Sequence, residues 1–208
     1  MSTARGSSGF GGMGRKRKRP TEPVKPEEAW TKALLWLSRR SLSRREVEMR
    51  LRRIGLAEES AEEVIEAIIE RLLERGYLDD SRFARSFVRY RVETSSTGSQ
   101  RLIRDLAVRG IEEEAAKAVI DEFLPGAEEE ARARRLAEKK LDEWARSGRF
   151  SKVKDNADSG RANMDVPGLR RELVARLGRH LQQKGFPLSL IYRLLDSLEA
   201  EGRFTFDV

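Results

Sequence analysis

Three glycines, each set in the same apolar surroundings, constrain the fold of this chain more than any other feature. Gly55, Gly110 and Gly185 each follow a leucine by four positions and immediately precede an apolar residue. The residues that match around the three glycines are Leu51, Leu106 and Leu181; Leu56, Ile111 and Phe186; Ala61, Ala116 and Ile191; Val64, Val119 and Leu194; Ile65, Ile120 and Leu195; and Ile68, Phe123 and Leu198. Because all six positions are apolar in every copy, the sequence predicts one supersecondary unit used three times.

Helical spacing of apolar residues runs through each copy of the repeat. From Trp30 onward, apolar residues recur at i, i+3, i+4 and i+7, the pattern of a helix with one buried face. Ser43 with Glu46, and Ser60 with Glu63, have the spacing of a capping box at a helix N-terminus. We therefore predict an all-α fold with helices near residues 27–39, 44–54, 60–75, 80–94, 99–109, 112–124, 127–146, 168–184 and 188–201.

Grouped by the repeat, these helices form three tandem three-helix modules, predicted at residues 27–78, 79–125 and 126–208. A unit of about 50 residues buries a small core, so each module should depend on its neighbours for stability. The third module is interrupted by a polar stretch at about 147–167, which we expect to form a long mobile loop.

Residues 1–26 differ from the modules in composition and are predicted to be a disordered basic tail. Glycine, serine and proline dominate it, with too little apolar content to offset the entropy lost on ordering. The tail contains one continuous basic run, Arg15, Lys16, Arg17, Lys18 and Arg19, which is typical either of an arm that binds phosphates or of a solvated segment.

The segment that links the third and fourth predicted helices has the pattern of a joint: Gly76-Tyr77-Leu78-Asp79-Asp80, followed by Phe83-Ala84. Gly76 can take the left-handed conformation that ends a helix, and Asp79 supplies an N-cap acceptor for the next one. Leu78 and Phe83 have the spacing of a hydrophobic staple across that cap. The acidic pair therefore has a structural role, since a metal site would need further ligands that its neighbourhood lacks.

Composition narrows the class of protein. With 38% hydrophobic and 37% charged residues and no cysteine, the chain fits a helical protein without disulfides or thiol chemistry. No apolar run approaches the ~20 residues of a membrane span, so we expect a cytoplasmic protein with no membrane partner. His180 is the only histidine and no phosphate-binding glycine loop is present, so we expect no enzyme activity, no cofactor and no metal.

Charge is unevenly distributed along the chain. Of the formal net charge of +7, residues 1–26 carry +6 and the remaining body only +1. Within the body, the second helices of the three modules sum to +9 and the third helices to −11. Such segregation predicts a bipolar surface, able to meet a negative partner on one side and a positive partner on another.

The basic second helices supply the candidate binding residues for DNA or a protein partner: Arg44, Arg45, Arg52, Arg53, Arg101, Arg104, Arg170, Arg171, Arg176 and Arg179. A helix-turn-helix protein reads bases with the third helix of a trihelical unit, and the acidic third helices here disfavour that role. Contacts from the second helices to the DNA backbone stay open. One alternative is therefore an independent, sequence-nonspecific DNA-binding protein that uses these arginines and the basic tail.

The sequence resembles the RecX family of regulatory proteins, which modulate the RecA recombinase. The resemblance covers about Ala29 to Arg203, and its most specific part is the joint from Gly76 to Asp80 with Phe83 and Ala84. It implies an elongated, curved array of nine helices that lodges in the groove of a RecA-DNA filament. By occupying that groove, such a protein would hinder filament extension, ATPase activity and strand exchange. We expect a non-enzymatic, monomeric partner of the RecA filament, in contact with DNA directly or through the filament.

Overall fold

The computed structural model describes residues 23–57, 61–147 and 166–204. Within them lie nine α-helices: α1 (Pro26–Arg39), α2 (Arg44–Leu51), α3 (Ala61–Glu74), α4 (Asp80–Thr94), α5 (Ser99–Ala107), α6 (Glu113–Phe123), α7 (Gly126–Arg146), α8 (Val166–Lys184) and α9 (Leu188–Ala200). The predicted all-α fold is confirmed. The basic run of the tail, Ser60 of the second capping box and most of the predicted loop at 147–167 lie outside the described residues.

The largest difference from a predicted helix boundary is at the end of α2. We predicted this helix to residue 54, and it ends at Leu51. The amides of Arg53 and Ile54 bond to carbonyls three residues back, at 3.1 and 3.2 Å, instead of four. This tighter turn leads into Gly55, whose φ of 84° is left-handed.

Three separate hydrophobic cores correspond to three helix triplets, which we call the first module (α1–α3), the second module (α4–α6) and the third module (α7–α9). The repeated leucines Leu51, Leu106 and Leu181 are each fully buried, one in each core. Gly110 and Gly185, with φ of 84° and 86°, repeat the left-handed turn of Gly55. The repeat in the sequence is therefore a repeat of three-helix units.

Val24 shows that the end of the predicted tail belongs to the folded part. Its side chain is 8% exposed and packs in the first core. Its backbone N–H donates to the carbonyl of Gly55 at 2.9 Å. The prediction of disorder is thus wrong at this residue, because one apolar side chain and one backbone hydrogen bond join it to the module.

The joint at Gly76 has the predicted left-handed turn and the predicted N-cap. Gly76 has a φ of 67°, and the amide of Tyr77 reaches back to the carbonyl of Leu72 at 2.9 Å, as in a Schellman turn. The Asp79 carboxylate accepts from the Arg82 amide at 2.9 Å and caps α4. The predicted staple is not what the packing shows, because Leu78 lies in the first core and Phe83 in the second.

Successive modules meet through the ends of their second helices. The amides of Gly98 and Gln100, at the start of α5, donate to the carbonyls of Lys184 and Gly185, at the end of α8, each at 3.0 Å. One module earlier, the Ser43 hydroxyl at the start of α2 donates to the carbonyl of Arg109 after α5 at 2.7 Å. The second helices are therefore stacked head to tail, and each interface satisfies donors and acceptors that a helix end leaves unpaired.

Carboxylates from the following module complete these interfaces. Asp80, in the first turn of α4, accepts from the first amide of α2, that of Arg44, at 2.8 Å. Glu129, in the first turns of α7 and 6% exposed, accepts from the first amide of α5, that of Ser99, at 2.6 Å. Both negative charges lie at the positive end of a helix dipole in the preceding module.

Candidate nucleic-acid interface

An open cleft between the second and third modules brings together three of the ten candidate arginines. Arg101 and Arg104 of α5 and Arg179 of α8 line this cleft, which has a volume of about 710 Å³. The remaining lining residues are Asp105, Gln182 and Gln183. All three arginines are exposed. The head-to-tail contact between α5 and α8 thus places guanidinium groups from two modules on one surface.

The repeat explains why these residues share a face. Arg101 and Arg104 lie five and two residues before Leu106, and Arg176 and Arg179 lie five and two residues before Leu181. Residues three apart are neighbours on a helix, so α5 and α8 each present an arginine pair from equivalent positions. In α2, the corresponding residues are Glu46 and Met49, so this basic face is confined to the second and third modules.

A smaller cleft between α7 and α8 continues the basic surface. It encloses about 330 Å³ and shares Arg179 and Gln183 with the larger one. Its other lining residues are Lys140, Glu143, Trp144, Arg176 and His180. We call the two clefts together the basic groove. The Arg176 guanidinium lies 5.2 Å from the ring centre of Trp144, a cation–π contact that holds its position.

The charge of the basic groove is largely uncompensated. Within the described residues, Arg101, Arg104 and Arg179 form no ion pair, whereas Asp105 pairs with Arg91 at 3.4 Å. Arg101 does donate to the carbonyl of Gln183, at a long 3.4 Å. Guanidinium groups that have no carboxylate partner can form paired hydrogen bonds with phosphate or carboxylate oxygens of a ligand.

His180 adds a titratable group to the groove. Partial burial lowers the pKa of His180, and the nearby cations Lys140 and Lys184 lower it further, while Glu143 opposes them. A histidine with a lowered pKa is neutral at pH 7. The charge of the groove at neutral pH therefore comes from its arginines and Lys140, whose own carboxylate partner is Glu143 at 2.9 Å.

The other candidate arginines lie outside the basic groove. Arg52 pairs with Glu48 at 2.8 Å and with Glu62 at 3.0 Å. Arg170 pairs with Glu199, also at 2.8 Å. The other four arginines of this set have no ion pair within the described residues. Arg45 packs over Gly110, and Arg44 lines a cleft with three glutamates. Arg53 and Arg171 are exposed.

Lys140, Gln182 and Gln183 line the groove and were not among the predicted site residues. For Gln182 and Gln183, the signal in the sequence is their place in the last turn of α8, within four residues of Arg179. Lys140 had no such signal in the sequence, because it reaches the groove only through the packing of α7 on α8.

No helix within the described ranges is long and apolar enough to cross a membrane.

Comparisons with known proteins agree with this architecture. Residues 29–72 match the family model for the first three-helix domain of RecX, and residues 79–120 match that for the second. The regulatory protein RecX of Thermobifida fusca is 31% identical over 188 residues, 88% of each chain. That of Halorhodospira halophila is 36% identical over 156 residues, 74% of this chain and 78% of its own.

Two solved structures share the fold. The crystal structure of RecX from Lactobacillus salivarius aligns with a TM-score of 0.62 at 22% identity, covering 84% of this chain and 97% of its own. A second crystal structure of a regulatory protein RecX also has a TM-score of 0.62, at 21% identity, covering 82% of this chain and 71% of its own. The two family models and the identity that the chain shares with RecX proteins along most of its length show that this protein belongs to the RecX family.

Proposed function

We propose that this protein is a non-enzymatic, monomeric, cytoplasmic regulator that binds the groove of the RecA-DNA filament. In that position it inhibits filament extension, ATPase activity and strand exchange. The observation that carries the proposal is the basic groove across two modules of a RecX family chain. The modules at residues 27–78, 79–125 and 126–208 serve as linked binding units.

The groove suits an extended polyanion or an acidic protein surface. Two arginine pairs from equivalent positions can follow a repeating row of charges, such as successive phosphates or carboxylates. Trp144 is only 5% exposed, so the groove offers no free aromatic face on which a base could stack. Recognition through this groove is therefore electrostatic and independent of base sequence.

Several contacts act together in this proposal. The acidic third helices face basic regions of the recombinase, and the basic groove faces DNA phosphates or acidic regions of the recombinase. Because the modules are held in one array, each contact raises the effective concentration of the next. Loss of one contact should then weaken binding more than its share of the surface suggests.

The test is charge reversal within the groove. Arg101→Glu with Arg104→Glu should relieve inhibition of the DNA-dependent ATPase and of strand exchange when the protein is added at substoichiometric levels. Arg53→Glu with Arg171→Glu is the matched control, since it changes the same total charge at exposed arginines outside the groove. Equal loss of inhibition in both variants would contradict a specific role for the groove. If the unaltered protein neither inhibits nor co-sediments with filaments, the whole proposal fails.

A second candidate function, independent DNA binding, is favoured by the same uncompensated arginines. Phosphate contacts would then dominate, so the affinity for duplex DNA without recombinase should fall steeply with salt and depend little on sequence. Absence of DNA binding at low salt excludes this candidate. If the protein does not bind DNA alone but still inhibits the filament, the first proposal is supported.

A further inference from the structure

The outer face of α3 is an acidic surface, and two cations of α2, Arg52 and Arg44, lie beside its first two turns. Glu62, Glu66, Glu70 and Glu74 follow one another at intervals of four residues and are exposed. Glu62 is bonded to Arg52 at 3.0 Å. The other three, which we call the acidic ladder, form no ion pair within the described residues. Like charges at this spacing repel one another, so a bound cation would relieve the repulsion.

The other acidic third helices are better neutralised. On α6, Glu113 and Glu114 both pair with Lys117, at 2.9 and 3.0 Å. On α9, Glu199 pairs with Arg170 at 2.8 Å. The acidic ladder is therefore distinguished from the corresponding helices by the absence of such intramolecular partners in the described part of the chain.

The chain itself carries a complementary segment at short range. The backbone hydrogen bond from Val24 to Gly55 fixes Val24 to the first module. Gly55 lies three residues after Arg52, whose side chain bonds to Glu62 at the start of α3. Arg19 is five residues before Val24 and Arg15 nine residues before it. Fully extended, these lengths span about 17 and 31 Å. Since the 14 residues of α3 are about 21 Å long, the basic run can reach along the ladder.

From this placement we propose that the basic run Arg15–Arg19 docks on the acidic ladder of α3 in the same chain. The contact is electrostatic and tethered, so it forms without a second molecule and competes with any polyanion for the run. The tail in the free protein is then held on the first module, and a nucleic acid must displace the carboxylates to bind it. This inference goes beyond the proposed function and does not depend on it.

The test uses the full chain, which has no cysteine, with Gly14→Cys carrying a spin label beside the basic run. At low salt the label should reduce the NMR intensities of the α3 amides at least twofold. In 1 M NaCl, where the screening length is about 3 Å, those intensities should recover. Glu66→Gln, Glu70→Gln and Glu74→Gln together should restore them at low salt.

The matched control neutralises three other exposed carboxylates that have no ion pair in the described structure: Glu112, Asp121 and Asp196. Replacing them with their amides should leave the loss of α3 intensity unchanged. Intensity loss that is absent at low salt, is spread evenly over the three modules, or is centred on another surface would overturn the proposal. So would an unchanged loss in the triple glutamine variant.

Discussion

Replacing Gly98 with alanine tests whether the second and third modules are held together by close contact of helix ends. A β-carbon at this position would lie 2.5 Å from the carbonyl oxygen of Gly185 and 2.6 Å from the amide nitrogen of Phe186. Both are backbone atoms, so the clash cannot be relieved by a side-chain rotation. Gly98 has a φ of −85°, which alanine adopts without strain. The substitution therefore adds only a steric conflict at the interface.

The expected cost follows from what must move. To reach ordinary contact distance, the two backbones must separate by about 1 Å, which breaks the 3.0 Å hydrogen bonds from Gly98 and Gln100. Two such bonds contribute about 2 kcal/mol in total. Retaining them with the clash in place would cost a similar ~1–3 kcal/mol. We expect unfolding by urea, followed by circular dichroism, to show a loss of about 2 kcal/mol and a lower m-value as the modules uncouple.

Two further variants separate the clash from other effects of alanine. Gly126→Ala is the control, because no atom beyond its chain neighbours and its own helix backbone lies within 4 Å of the added β-carbon, and the stability of this variant should be unchanged or slightly raised. Gly98→Ser introduces a good N-cap residue together with the same β-carbon. If serine restores the stability that alanine removes, the effect is one of helix capping and the steric reasoning is refuted. An unchanged stability of Gly98→Ala would refute it as well.

Three other predictions concern caps and charge. Asp79→Ala should cost about 1 kcal/mol through loss of the α4 cap, measured by thermal or urea unfolding; an unchanged transition would count against that cap. Glu129→Ala should cost about 2 kcal/mol, since it leaves the Ser99 amide without its charged acceptor; the comparison is urea unfolding of Glu128→Ala, which removes a half-exposed neighbour whose carboxylate pairs with Arg135 at 2.8 Å. Because burial and nearby cations lower the pKa of His180 below its ordinary 6.5, the unfolded chain gains its proton at higher pH than the folded one. The stability linked to this group should therefore be complete above pH 6.5 and decline as the pH falls toward the folded pKa, and His180→Gln should remove that decline.

The candidate site could be predicted only in part. The arginine pairs of α5 and α8 were identifiable, because their charge and helical spacing are local properties. That the two pairs lie in one groove could not be predicted, because it depends on the contact between Gly98 and Gly185, which are 87 positions apart in the sequence. Arg52 and Arg170 were predicted on the same grounds as the others, but glutamates of neighbouring helices pair with them.

The sequence by itself determined the helices, the repeat and the turns. These depend on interactions within a few residues: apolar spacing defines the buried face, a left-handed glycine ends a helix, and Asp79 caps the one that follows. Only the tertiary structure decided which helix ends meet, that Asp80 caps a helix of the preceding module, and which basic side chains share a groove. The physical reason is that a repeat specifies each unit, whereas the angle between units is set by backbone contacts at the interfaces, where a single β-carbon would alter the packing.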